Sequence, residues 1–316
     1  MDEFHGSIDG EEGRIDDIKP EWFSNHHIPW WGCMAKRWLQ LNGALPKHVA
    51  FIMDGNRRFA RNHNYETVIE GHSQGFAKLT QVLDWCRELN VREVTVYAFS
   101  IENFKRSNDE ISSLMEMAEK KFELLLEERP ALAEHQIHFR FFGNLALLSI
   151  KLQKLIAEIE LFTKDFDQGF VNICLAYTSQ DEIVRAMEYI RKGVKLNLIE
   201  ENDVNEWLIS KCLDTKNSMD IDLLIRTSGE QRISDFLLWQ CSNCYIHFDE
   251  VLWPDFTFKN IFEAFRAFQK KRRPIQRLSS MLEEKVCDEK TAKAQKFLKW
   301  MEDDRLNRMI SLLEEK

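Results

Sequence analysis

The sequence predicts an α/β fold: a mostly parallel central sheet of about six strands, flanked by helices and extended at both ends by further helical segments. Short apolar runs rich in β-branched and aromatic residues recur at 48–53, 94–99, 137–142, 170–177, 222–225 and 245–248, each the length of a strand. Between them the apolar residues fall at helical spacing. Strands joined by helices need crossover connections, which set the strands parallel. With 316 residues, 44% of them hydrophobic and 30% charged, the chain can bury a full core, as one large domain with extensions or as two small ones.

Along the chain, residues 1–28 are acidic and poor in apolar side chains, a composition that predicts disorder. From 29 to 45, Trp30, Trp31, Met34, Trp38 and Leu41 share one face of a predicted helix, with Lys36 and Gln40 opposite. Such a helix either lies in a membrane interface or caps the protein's own core. Residues 46–275 form the main domain. Within it Leu79, Val82, Leu83, Cys86 and Leu89 make one helical stripe, and Ile111, Leu114, Met115, Ala118, Phe122 and Leu125 another, opened by Ser107 and Glu110 as a capping box. Residues 276–316 mix apolar positions such as Phe297, Met301 and Ile310 with many charges, as one or two amphipathic helices that pack on the domain or pair with another subunit. No apolar run reaches the roughly 18 residues that span a bilayer.

The net charge of −9 argues against general nucleic-acid binding, which needs a basic face. Seven cysteines, an odd number, with no basic and apolar leader at the start, predict free thiols in a reducing compartment. Cys241 and Cys244 are separated by two residues, but no second such pair completes a zinc site.

The chemistry concentrates where predicted strands end. The first runs into Asp54-Gly55-Asn56-Arg57-Arg58, a carboxylate, flexible backbone and two guanidiniums at one corner. A carboxylate holds a hard cation whose other ligands are water and substrate phosphate, and arginines grip phosphate oxygens through paired donors. A second cluster follows 222–225, where Arg226, Arg232 and Ser234 make a donor-only pocket for a second diphosphate, unless those arginines simply pair with Glu230 and Asp235. Between the two lies a third strand end, with Ser100, Glu102, Asn103 and Arg106. In parallel sheets such ends converge on one crevice.

On these motifs the chain resembles the cis-prenyltransferase family of undecaprenyl diphosphate synthase-like enzymes, and within it the eukaryotic catalytic subunits that make dehydrodolichyl diphosphate. The matching stretches are 48–60, 70–76, 93–106, 222–240 and 251–256. The resemblance implies condensation of isopentenyl diphosphate units onto an allylic primer such as farnesyl diphosphate, giving a long-chain polyprenyl diphosphate for dolichol synthesis and protein glycosylation. It implies catalytic roles for Asp54 and Asn103, with Asp54 as ligand of a Mg2+ cofactor. It places the allylic diphosphate on Asp54, Gly55, Asn56, Arg57, Arg58 and His72, and isopentenyl diphosphate on Arg106, Arg226, Arg232 and Ser234. It further implies a hydrocarbon tunnel, for which Phe122, Leu125, Leu126, Phe139, Phe141, Phe142, Leu145, Leu147 and Leu148 are available, although their spacing fits plain core as well. Peripheral attachment to the cytosolic face of the endoplasmic reticulum membrane is the expected location.

Three departures from the family pattern stand out. Val68 replaces an arginine four residues before the motif histidine, and Tyr245 replaces a glutamate of the bacterial homodimers. The family's carboxy-terminal Arg-x-Gly tail is missing, the corresponding stretch reading Arg272-Arg273-Pro274-Ile275-Gln276. The resemblance therefore implies a Nogo-B receptor-like partner subunit that carries its own Arg-x-Gly end, with Phe262, Phe265 and Phe268 as candidates for subunit contact. Alternatives are a non-catalytic scaffold subunit of the same fold, which would lack the carboxylate and arginines retained here, or a single-subunit homodimeric enzyme making another polyisoprenoid. Neither a GxxxxGK nor a GxGxxG signature is present for a nucleotide-binding reading.

Overall fold

A computed structural model describes residues 22–23, 27–283 and 292–314. Six strands, β1 (His48–Ile52), β2 (Glu93–Tyr97), β3 (Ile137–Phe142), β4 (Gly169–Cys174), β5 (Leu223–Arg226) and β6 (Tyr245–Phe248), form one sheet in the order β3-β4-β2-β1-β5-β6. Every pairing is parallel. The helices are α1 (Gly32–Asn42), α2 (Asn56–Asn62), α3 (Val68–Glu88), α4 (Asn108–Glu127), α5 (Arg129–His135), α6 (Ile150–Thr163), α7 (Ser179–Lys195), α8 (Glu206–Cys212), α9 (Phe258–Glu283) and α10 (Ala292–Glu314).

The strand order fixes where a ligand belongs. From β1 the chain moves to β2 on one side, and only after β4 does it cross to β5 on β1's other side. β1 and β5 therefore flank the topological switch point, and their outgoing loops separate to leave a crevice at the strands' carboxyl ends. In register, Ile52 lies beside both Tyr97 and Arg226, so the loops after β1, β2 and β5 start at the same level.

β1 is buried along its whole length, as expected of a strand covered on both faces. Phe51, Val49, Leu79, Val82, Phe256 and Phe265 belong to the large core on one face, and Ala50, Ile52, Leu224, Phe236 and Leu237 to a smaller core on the other. Each fully buried Phe contributes roughly 2 kcal/mol of transfer free energy.

Several expectations change. The strands predicted at 94–99 and 170–177 stop at Tyr97 and Cys174, because residues past those points leave the ladder for the loops that build the crevice. Ser107 does accept from the Glu110 amide, but the Glu110 carboxylate turns to Arg106 instead of closing the capping box. The disorder expected across 1–28 does not hold at Trp22 and Ile28, which are buried in the large core; residues 1–21 and 24–26 lie outside the described ones. The predicted apolar face of α1 divides: Trp31 and Trp38 pack on Phe258 and Phe262, while Trp30, Met34 and Leu41 face solvent. Leu39, outside the predicted stripe, is the residue of α1 buried completely.

The boundary expected at 275 falls inside α9, which runs on to Glu283. Phe265 and Phe268 are buried in this chain's own core and are not available for subunit contact; Phe262 is partly buried against that core. α10 packs back on the domain. Its Phe297 is fully buried and sits in a space that Gly193 leaves open, since a Cβ there would come within 2.5 Å of the ring, and its Arg305 is paired with the buried Glu160. Six described cysteines are free thiols. Among the described residues no helix is long and apolar enough to cross a membrane.

Candidate active site

β1 hands the chain to Asp54, whose backbone is fixed on both sides: its amide donates to Thr227 Oγ1 at 3.0 Å and its carbonyl accepts from the Trp253 amide at 3.0 Å. The turn continues through Gly55 at φ +110°, where a Cβ would also press on Leu252 at 2.9 Å. Gly55 opens the short helix α2, whose first turn holds Asn56, Arg57 and Arg58. This turn lies tight against α3, because Gly75 carries no side chain where a Cβ would be 2.3 Å from Asn56 Oδ1. Close packing brings His72 of α3 to the same cavity. Burial first, then the Arg106 charge, lower the His72 pKa to about 4, so its ring is neutral at physiological pH.

After β2, a one-turn 3-10 helix (Ile101–Lys105) presents Asn103 and leads to Arg106. The Asn103 carboxamide oxygen accepts from the Ser100 amide at 3.1 Å, which orients the side chain, and Arg106 reaches Glu110 at 2.8 Å. Arg226, the last residue of β5, is buried and bridges two loops. Its Nη2 donates to Asp54 Oδ2 at 2.8 Å and its Nη1 to Ser234 Oγ at 2.7 Å. Arg232 is largely exposed and pairs with Glu230, which also faces Arg58; Arg58 in turn donates to Ser228.

The residues expected at two diphosphate sites therefore share one cavity of about 790 Å3. Asp54, Gly55, Asn56, Arg57, Arg58, His72, Asn103, Arg106, Arg226, Arg232 and Ser234 all line it. Its polar mouth passes into an apolar depth walled by Phe76, Leu79, Phe99, Leu114, Met115 and Phe122. Of the residues considered for core or tunnel, Phe122 lines this depth, Phe139 and Phe141 are packed core, Phe142 belongs to the opposite face and Leu147 is largely exposed. Sequence reading missed Arg61, Lys121 and Trp22 on the lining. Arg61 follows the arginine pair by one helical turn, which is a readable signal, whereas nothing local marks the other two. Of the alternative arginine partners, Glu230 does pair with Arg232, whereas Asp235 accepts from the backbone at the start of α7.

Three of the six buried side-chain atoms without a partner among the described residues stand at this cavity: Asn56 Oδ1, His72 Nε2 and Arg226 Nε. Orphaned polar atoms of this kind call for a ligand. A parallel α/β scaffold with guanidiniums and one carboxylate at a switch point, above an apolar hollow, defines a binding protein for an amphiphilic anion with a phosphate-like head. Residues 52–276 match the prenyltransferase family model described as undecaprenyl diphosphate synthase, and the chain belongs to that family, the cis-prenyltransferases. It is 50% identical over 242 residues to the dehydrodolichyl diphosphate synthase complex subunit DHDDS of Homo sapiens, covering 77% of this chain and 72% of that protein. It is 40% identical over 233 residues to the corresponding complex subunit of Schizosaccharomyces pombe, covering 73% and 88%. Among solved structures, lavandulyl diphosphate synthase from Lavandula x intermedia, in complex with dimethylallyl diphosphate, superposes with a TM-score of 0.66 at 30% identity, over 71% of this chain and 95% of that one.

Proposed function

We propose that this chain is the catalytic subunit of a dehydrodolichyl diphosphate synthase, adding isopentenyl diphosphate to an allylic primer to build a long cis-polyprenyl diphosphate. The observation that carries the reading is the continuity of the cavity: the Asp54–Arg226 pair, expected to serve two substrates, sits at one mouth above one apolar hollow. In the reaction the allylic carbon–diphosphate bond breaks, a carbon–carbon bond forms to the isopentenyl alkene, and a proton is lost. Arg57 and Arg58 bind the departing diphosphate, Arg232 and Ser234 orient the second one, and the apolar wall excludes the water that would quench the electrophile.

Asp54 suits a magnesium ion. It offers hard oxygens, its side chain remains about one-third exposed, and its bonds to Gly55 and Arg226 each leave lone pairs free. Mg2+ bound there would supply electrostatic stabilisation of the charge on the leaving diphosphate. Asp54 would hold it, Arg226 Nη2 would fix the carboxylate's orientation, and Arg57, exposed at the mouth, would meet the phosphate oxygens the metal leaves free.

The reading extends to a partner subunit, for which α9 gives support. The stretch 272–276, where the family pattern has its Arg-x-Gly tail, lies inside this helix, which supports supply of an Arg-x-Gly end by another chain. A Nogo-B receptor-like subunit with that end completes the site. The outward Trp30, just before α1, and Met34 and Leu41 of α1 hold the complex at the cytosolic face of the endoplasmic reticulum membrane. The test combines the chain, alone and co-purified with such a partner, with magnesium, farnesyl diphosphate and labelled isopentenyl diphosphate, followed by product sizing. Full activity in the lone chain removes the partner, absence of prenyl product from the pair removes the assignment, and vesicle flotation unchanged by Trp30→Glu with Met34→Glu removes the membrane contact.

A further inference from the structure

Glu182 lies outside the cavity, on the first turn of α7, and is about 1% exposed. Three donors converge on its carboxylate. Tyr177 Oη donates to Oε2 at 2.6 Å, Gln240 Nε2 to the same oxygen at 2.9 Å, and the Asp214 amide to Oε1 at 2.9 Å. Only an acceptor-only side chain of this length satisfies all three. Burial and the neighbouring Asp214 push its pKa up, while the donors and Arg185 oppose them.

What the carboxylate holds is the loop between β5 and β6, which carries Arg232 and Ser234. That loop is unusual in its backbone: Ser234 (φ 49°), Asp235 (φ 55°) and Leu237 (φ 49°) all take left-handed conformations that L-residues disfavour. Arg226 holds Ser234 Oγ at 2.7 Å and the Arg232 carbonyl, Tyr97 Oη donates to the Ser234 carbonyl at 3.4 Å, and three further anchors lie behind them. Phe236 stacks on Tyr97 with centroids 4.4 Å apart. The start of α7 binds the backbone, with the Ser179 amide donating to Asp235 O at 2.8 Å and Ser179 Oγ accepting from the Leu238 amide at 3.1 Å. Gln240 is tied to Glu182 and to Thr215 Oγ1 at 2.8 Å, and together with the Trp239 indole N–H on Ser210 Oγ at 3.0 Å it fixes the loop's far end. Tyr177 connects the same carboxylate back to the site, since its carbonyl accepts from Tyr97 Oη at 3.0 Å, and Tyr97 lines the cavity.

We propose that Glu182 is a positioning residue for the second diphosphate: through Gln240 and Tyr177 it fixes the left-handed loop on which Ser234 and Arg232 meet isopentenyl diphosphate. The inference rests on the reading of the cavity given under Proposed function. Glu182→Gln keeps the shape but turns an amide donor toward donors. In the complex, the KM for isopentenyl diphosphate is expected to rise about tenfold, with kcat and the allylic KM changed by less than about twofold. Exchanging the pair, Glu182→Gln with Gln240→Glu, restores the carboxylate-to-amide bond and is expected to recover most of that loss.

If Glu182→Gln does not fold, Gln240→Ala and Tyr177→Phe each remove one donor, and each is expected to raise the same KM about threefold. A lowered melting temperature with both KM values unchanged, or both KM values rising together, overturns the proposal and leaves Glu182 a core residue. Calorimetric titration with isopentenyl diphosphate separates this result from the functional reading. Weaker binding in the variants supports the positioning role even if the wild-type complex yields no prenyl product, and equal binding overturns it.

Discussion

Two buried arginines on one sheet differ in what they leave unsatisfied. Arg140, in β3, uses every nitrogen: Nε donates to Asn172 Oδ1 at 2.8 Å, Nη1 to Asn217 O at 2.8 Å and Nη2 to Glu93 Oε1 at 2.6 Å. Around it Glu93, Asn172, His48 and Thr95 close a network that pins the segment before β5 to the starts of β1 and β2. Arg226, the last residue of β5, binds Asp54 and Ser234 but keeps Nε without a partner, on the same cavity as the orphaned atoms of His72 and Asn56. Both arginines cost desolvation energy to bury. A complete network is architecture; an incomplete one at a cavity is a binding site.

The sharpest way to break that contrast is Asp54→Ala. Turnover of the complex is expected to fall by about 10^3, the equivalent of roughly 4 kcal/mol, with an unchanged circular dichroism spectrum. A variant that keeps more than about a tenth of the activity would remove the metal role. Arg140→Ala should do the opposite. It leaves Glu93 buried without its cation, so denaturant unfolding is expected to show a loss of about 3–5 kcal/mol with both KM values unchanged. A selective KM effect would show that the closed network also touches substrate.

The two arginines of the second cluster sharpen the comparison within the site. Arg232, largely exposed, is expected to affect isopentenyl diphosphate alone, with Arg232→Ala raising its KM about tenfold. Arg226→Ala is expected to raise both KM values, because its guanidinium also holds Asp54. If only the allylic KM responds to Arg232→Ala, the two diphosphate positions are exchanged.

The smallest effect is on pH. Burial, then nearby arginine charge, lower His72 and His138 to about 4 in the folded chain, against 6.5 when unfolded. Between these values the unfolded chain takes up protons that the native one refuses. This stabilisation is therefore complete above pH 6.5 and is lost as pH falls toward 4. His138→Gln is expected to flatten the melting temperature profile across that window, and an unchanged slope would show that its ring is not held neutral.

Much of this was legible because it is local. The six strands could be read from runs such as 48–53 and 137–142, since side-chain alternation and β-branching act over a few residues. The loops after β1 and β5 could be read because phosphate chemistry needs Asp54 and clustered arginines, whatever the fold. The sequence could not say that Asp54 and Arg226, 172 residues apart, are joined at 2.8 Å. It could not assign Phe265 and Phe268 to this chain's own core rather than to a partner, or place Trp22 and Ile28 inside a segment whose composition reads as disordered. Nothing local marks Glu182, because two of the three donors that close on it come from 32 and 58 residues away. The sequence by itself determined element types and the chemistry of each loop, which depend on near neighbours. Only the tertiary structure decided which loops meet and which charges are buried together, because those follow from strand order, and strand order is set by the packing of all the crossovers at once.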